Sequence, residues 1–207
     1  MSNPLVERSF KHMAWANKQM LSILQGLPDE AINFSAWNPD WTVGTIAHHI
    51  VIAEGRLISR ITQQVAPVEF DPPKSASDIS ELVSVCAERD EQLLALIDTP
   101  DEMRSFVRYG KEVEFLTSTI LIQAVHHASE HRAQISDILA ANNMDVLNLD
   151  EIDLWSFEKW ENSRWNKSCG RWGFRTPDIL GVNETLYHWA NHPVLQTQIL
   201  TYEPAIS

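Results

Sequence analysis

Four long stretches of this chain carry apolar residues at spacings of three and four, and none sustains the alternation that a strand series needs. That pattern constrains the fold, because a helix with one apolar stripe has to lay it against other helices. The first stretch runs from about Val6 to Gln25, with Phe10, Met13, Ala14, Asn17, Leu21 and Leu24 on one face, and stops at Gly26 and Pro28. The second starts after Asp40 or Thr42, either of which can cap it, and continues through Ile46, Ile50, Ala53 and Leu57 to about Gln63. Pro67, Pro72 and Pro73 make the next segment a loop. The third opens near Ser77 and carries Ile79, Leu82, Val83, Cys86, Leu93 and Leu96 before Pro100. The fourth spans about Thr117 to Ala141. Between the third and fourth, "SFVRYGKEVEF" reads as a small hairpin about Gly110-Lys111 or as plain loop. The expected fold class is all-α, a four-helix bundle.

Glu151 to Asn162 supplies one more short helix, and from Ser163 the helical periodicity is lost. The expected organisation is a bundle over 1–162 and an irregular C-terminal extension over 163–207. Trp165, Trp172 and Trp189 lie in that extension, which reads as a surface-wrapping arm or as a flap over a ligand.

A formal net charge of -12 argues against nucleic acid or an anionic membrane surface as a partner, since both attract basic patches. No apolar run approaches the roughly 18 residues of a membrane span, and the first 25 residues lack the pattern of a secretory signal. Two cysteines, Cys86 and Cys169, make no disulfide framework, so a cytoplasmic setting is expected. Cys86 falls in the apolar stripe of the third helix and reads as a small core residue.

The fourth helix contains "QAVHHASEHRAQI", Gln123 to Ile135, which packs three of the chain's eight histidines into six residues. At about 100° per residue, His127 and His131 fall about 20° to either side of the stripe made by Leu116, Ile120, Ala124, Ile135 and Ile138. His126 falls about 120° away, on the polar face, and Gln134 shares the face of His127. On the second helix His49 flanks the apolar stripe while His48 lies nearly opposite. Inward imidazoles on successive turns lose hydration and would repel one another if protonated. A divalent metal ion answers both difficulties, and histidines at i and i+4 can reach one ion. Hydrogen-bonded core histidines are the other reading, and "HHASEH" is not the H-E-x-x-H protease signature, because Ala128 follows His127. Arg132 reads as a surface or interface residue.

Three motifs resemble those of the DinB-like superfamily of small metal-binding helical bundles. "MAWANKQML", Met13 to Leu21, resembles its first-helix W-A-N pattern. "WTVGTIAHHI", Trp41 to Ile50, resembles its W-T-x-G-x-x-x-x-H entry into the second helix, which aligns a ligand with His49. "HHASEHRAQI", His126 to Ile135, resembles its H-x-x-x-H-R-G-Q-I element and aligns ligands with His127 and His131. The resemblance covers roughly residues 5 to 160. Ala133 stands where the family usually has Gly, and Gln123 where many members have a further His, leaving three histidines.

The resemblance implies a bacterial homodimer that binds zinc, nickel, iron or manganese through His49, His127 and His131. It also implies a metal-dependent transferase acting in detoxification or stress response, with a small-molecule substrate and a low-molecular-weight thiol such as bacillithiol or mycothiol. Two alternatives stand beside it. One is a metal-dependent hydrolase with Glu130 or Glu54 as base, and the other is a non-enzymatic metal-binding or dimerisation module. No residue is assigned a catalytic role.

Overall fold

The computed structural model of the chain describes residues 3–168, and residues 1–165 form one compact unit. Helix α1, Pro4–Gln25, begins where Asn3 accepts a hydrogen bond from the Leu5 N–H at 3.0 Å, with Pro4 supplying a first-turn residue that needs no partner. A four-residue helix α2, Asp29–Ile32, follows; it is too short to show a period in the sequence. Helix α3, Val43–Thr62, is capped by Thr42, whose hydroxyl accepts from the Thr45 N–H, so of the two candidate caps Thr42 serves. Gly44 in its first turn has a steric reason: a Cβ there would lie 2.5 Å from the Pro73 carbonyl and 2.8 Å from Ile32 Cγ2. Helix α4, Ile79–Ala95, follows a 3₁₀ turn over Ala76–Asp78 that Ser75 and Asp78 close as a capping box.

The ambiguous segment is a hairpin. Strand β1, Met103–Arg108, pairs antiparallel with β2, Lys111–Leu116, in the register Arg108 to Lys111. The turn is Tyr109-Gly110, both left-handed at φ 51° and 74°, which is the backbone of a primed two-residue turn and the reason for a glycine in it. Helix α5, Thr117–Ala141, comes next, then a 3₁₀ turn over Leu149–Ile152 and helix α6, Leu154–Ser168.

The four long helices close a ring in which α1 packs on α4, α4 on α3, α3 on α5 and α5 back on α1. The result is a mostly helical fold, a four-helix bundle with a small two-stranded sheet. Its core contains Phe10, Met13, Met20, Ile46, Ile50, Leu82, Ile120, Ile135 and Ile138, all with almost no exposed surface. Burying each of the larger side chains contributes about 1.5–3 kcal/mol. The extra helix docks through Phe157, which is buried 5.5 Å from the Trp15 ring, and through ion pairs from Arg8 to Glu158 and Glu161. The expected extension, 163–207, begins within α6; its residues beyond 168, Cys169, Trp172 and Trp189 among them, lie outside the described residues. No helix of the described residues is long and apolar enough to cross a membrane.

Candidate metal centre

Helix α5 buries a wider arc than one stripe. Ile120, Ala124, Ile135 and Ile138 are covered, and so are Leu121, Ala128, Arg132 and Leu139, whose stripe is centred about 75° further round. His127 and His131 sit at the opposite margin of that arc, facing α3, and are only half-buried. His49, two turns into α3, is half-buried as well.

The three rings converge. His127 Nε2 lies 3.0 Å from His49 Nε2 and 3.1 Å from His131 Nε2. Ring centroids are 4.8 Å apart from His49 to each of the others, and 4.3 Å apart between His127 and His131. Burial is the main cause, and the neighbouring imidazoles the next, that holds the pKa of both His49 and His127 down to about 4. Both are therefore neutral at physiological pH, the form that ligates.

Trp41, the residue before the α3 cap, stands edge-to-face on this group, its ring 5.2 Å from His49 and 5.7 Å from His131. Its indole N–H donates to Gln134 Oε1 at 3.2 Å, and the same oxygen lies 2.8 Å from His131 Nδ1. Trp41 and Gln134 lie beside the three histidines, and in the sequence only their motif and the shared face of Gln134 mark them.

Of the histidines that the wheel set aside, one has another partner and the other faces solvent. His48 Nε2 donates to the Phe70 carbonyl at 2.6 Å, and His126 is exposed. His12 Nε2 donates to the Ile152 carbonyl at 2.9 Å.

The donor set fits a metal ion. His49, His127 and His131 each offer one ligand atom, all within 4.8 Å of one another, so the group could hold a metal ion. Neighbouring nitrogens 3.0 and 3.1 Å apart are compatible with both lying about 2.1 Å from one centre. Neutral imidazoles suit zinc, nickel and iron, and three of them leave coordination positions open.

A second polar cluster is wholly buried. Asn17 donates to Glu54 Oε1 at 3.0 Å and to Asp90 Oδ1 at 3.4 Å, and accepts from Arg132 Nη1 at 2.6 Å. Cys86 donates to Asp90 Oδ2 at 3.4 Å and to Glu54 Oε2 at 3.8 Å. Arg89, beside it, donates to the Val51 carbonyl, and its guanidinium rests where a Cβ on Gly55 would be, 2.9 Å from its central carbon. Burial, and then the charge of Asp90, pushes Glu54 well above the usual carboxylate range, and burial pushes Asp90 up to about 7. Burial likewise brings Arg132 down to about 10.

This cluster corrects one expectation and adds to another. Arg132 is not a surface residue: it is 4% exposed and holds Asn17. Cys86 is in the core, but among carboxylates, which with burial push its thiol well up. Asp90 and Arg89 were not singled out from the sequence at all. The signal was present nonetheless, since Asn17, Glu54 and Asp90 occupy core spacing on their helices, and polar residues there need one another.

Residues 1–169 match the model of the DinB family. A solved structure described as a DinB-like protein from Bacillus cereus ATCC 10987 is similar in fold, with a TM-score of 0.56 at 20% identity, covering 71% of this chain and 96% of that one. No curated protein is similar enough to count as a match.

Proposed function

The chain belongs to the DinB family, and from that membership and the geometry above we propose that it binds one divalent metal ion through His49, His127 and His131. The observation that carries this reading is the convergence of three half-buried Nε2 atoms, two of them on rings whose pKa is held near 4. Hydrogen-bonded core histidines in this chain face carbonyls, as His12 and His48 do, whereas these three face one another.

The activity we propose is a small-thiol S-transferase, the reaction class that resemblance to this family implies, with an electrophilic small molecule as second substrate and a homodimer as the assembly. When bound, the ion supplies Lewis acidity that lowers the pKa of a thiol held at an open position. The chain's own groups bind and orient. The histidines present neutral lone pairs, Trp41 walls one side of the group, and the half-buried setting limits water. Among the described residues the protein offers no sulfur nucleophile of its own, because Cys86 is buried and its thiol pushed well up. A cosubstrate thiol fills that place.

Two observations favour a transferase over a hydrolase. Glu54 is 1% exposed and both its oxygens are engaged, by Asn17 and Cys86, so it is not free to serve as a base, and Glu130 lies on the exposed face of α5. Elemental analysis of the purified protein tests the site, with about one divalent ion per chain expected. Screening electrophiles with and without a low-molecular-weight thiol tests the reaction. Turnover that does not depend on thiol would replace the transferase by a hydrolase, and a metal-loaded protein with no turnover would leave a binding module.

A further inference from the structure

We propose that Trp41 and Gln134 form a relay that fixes which nitrogen of His131 faces the metal centre, making Gln134 a positioning residue for metal binding. This rests on the metal-site reading above and adds the device that prepares one of its ligands.

The chain of reasoning begins at Trp41. An indole N–H can only donate, so the atom of the Gln134 amide 3.2 Å from it must be the oxygen. That oxygen is also the atom 2.8 Å from His131 Nδ1. An amide oxygen can only accept, so Nδ1 of His131 carries a proton and, in the neutral ring that ligates, Nε2 carries the lone pair. Nε2 is the atom that meets His127 Nε2 at 3.1 Å, on the side where the ion would sit. Rotating the Gln134 amide by half a turn would set its NH₂ group against the indole N–H, donor against donor. Trp41 therefore dictates the amide, and the amide dictates the imidazole.

The relay also spans the two elements that bring the ligands together. Trp41 is anchored outside α3, its backbone N–H bonded to the Asn38 carbonyl at 3.0 Å, and its ring touches both His49 and His131. Gln134 lies one turn beyond His131 on α5. Among the described residues, His131 alone of the three histidines has a hydrogen-bond partner on Nδ1. It is thus the preset ligand, while His49 and His127 take up their tautomers when the ion arrives.

The test measures Zn²⁺ affinity by competition with a chromophoric chelator, together with the Tm of the metal-free protein. Gln134→Leu is expected to bind Zn²⁺ roughly 10- to 100-fold more weakly, as for other outer-shell partners, at an unchanged metal-free Tm. Gln134→Glu keeps an oxygen acceptor for both donors and is expected to retain wild-type affinity or exceed it. Trp41→Phe is expected to weaken binding by less than Gln134→Leu, because the amide is then free to rotate.

The deciding variant is Trp41→Phe combined with Gln134→Glu. A carboxylate has no wrong orientation, so the loss of the indole N–H should no longer matter and affinity should return to that of Gln134→Glu alone. A merely structural role for Trp41 gives no such rescue. This pair decides the question even if Gln134→Leu fails to fold. Zn²⁺ affinity in Gln134→Leu within twofold of wild type, or a double variant as weak as Trp41→Phe, overturns the relay alone. A wild-type protein that holds no Zn²⁺ overturns the metal site and the relay with it.

Discussion

The bundle holds two polar clusters, the half-buried histidines between α3 and α5 and the fully buried group of Asn17, Glu54, Cys86, Asp90 and Arg132, and they differ in what neutralises them. The buried cluster contains groups of both signs: Arg132 faces the carboxyls through Asn17, and burial raises the pKa values of both carboxyls. The histidine cluster contains only one kind of group, three nitrogens directed at one another, and nothing in the described residues supplies an opposite charge among them. An Asn and a Gln are used alike in both, each oriented by a residue that can only donate, Arg132 in one and Trp41 in the other. The difference shows how one bundle separates stability from function. A polar group that completes itself holds the core, and one that remains incomplete has room for a ligand.

The largest effect that sharpens this contrast is at His131. His131→Ala removes one of the three proposed ligands, and the loss of divalent-ion affinity should exceed the roughly 100-fold upper end of outer-shell substitutions. His126→Ala and His48→Ala should leave stoichiometric binding intact, since the one is exposed and the other is bonded to the Phe70 carbonyl. Elemental analysis after exhaustive dialysis reads the result. Equal loss in all three variants would mean that the ion is held elsewhere.

Next in size is the other cluster. Arg132→Met leaves Asn17 Oδ1 without its donor and removes the positive charge beside the carboxylates, and breaking a buried charged contact in this way costs about 3–5 kcal/mol, reduced to the extent that the carboxylates take up protons. Chemical denaturation of the metal-free protein should show a loss of at least about 2 kcal/mol. A change below about 0.5 kcal/mol would show that Arg132 does not hold the core.

These two clusters were unequally legible in the sequence. The histidines could be sorted because helical geometry places His127 and His131 on one side and His126 on the other, and the family motif repeats the choice. The four long helices were legible for the same reason, a period sustained over many residues. Arg132 reads as a surface residue because a single apolar stripe accounts for only part of the buried face of α5, whereas the ring of helices covers a second stripe through Leu121, Ala128 and Leu139. A long side chain can also turn inward from a flank, which no period reveals. Asp90 and Glu54 meet Asn17 only across three helices, so their complementarity exists only once α1, α3 and α4 are packed. The hairpin stayed ambiguous because its turn needs Tyr109 in a left-handed conformation, which side chains seldom adopt.

The pH dependence of the metal-free protein separates the clusters by sign. His49 and His127 have folded pKa values of about 4, below the ordinary 6.5, so their contribution is complete above about 6.5 and is lost as pH falls toward 4. His12 and His48, also lowered chiefly by burial, act in the same direction. Asp90, raised to about 7, and Glu54, raised well above its ordinary value, do the opposite: what they contribute is complete in acid and is lost as pH rises through their folded values. Between about 4 and 6.5 the two opposing slopes partly cancel, and at higher pH the histidines no longer oppose the loss from the raised carboxyls, which the raised Cys86 thiol joins at the alkaline end. Denaturation midpoints measured from pH 4 to 9 should therefore form a broad plateau that falls on the alkaline side. Loading the metal should add acid sensitivity, because protons then compete with the ion for the histidines. A metal-free protein whose stability rises steadily from pH 7 to 9 would contradict the assignment of Glu54.

The smallest expected effect is the most discriminating for the buried cluster. If Glu54 keeps its proton at neutral pH, an amide of the same shape replaces it with little change, because no charge is removed and Asn17 still finds an oxygen to donate to. Glu54→Gln should then shift stability at pH 7 by less than about 1 kcal/mol, far less than Arg132→Met, although the two residues belong to one network. The same variant should flatten the alkaline fall, since the group that loses its proton there is gone, and should expose the acid slope of the histidines that Glu54 had opposed. Were Glu54 instead an ionised partner of Arg132, the substitution would strand a buried guanidinium and cost about as much as Arg132→Met, about 3 kcal/mol or more. Divalent-ion affinity should not change in either case if the cluster serves the core rather than the metal, so a parallel affinity measurement separates a structural Glu54 from one that reaches the histidine centre.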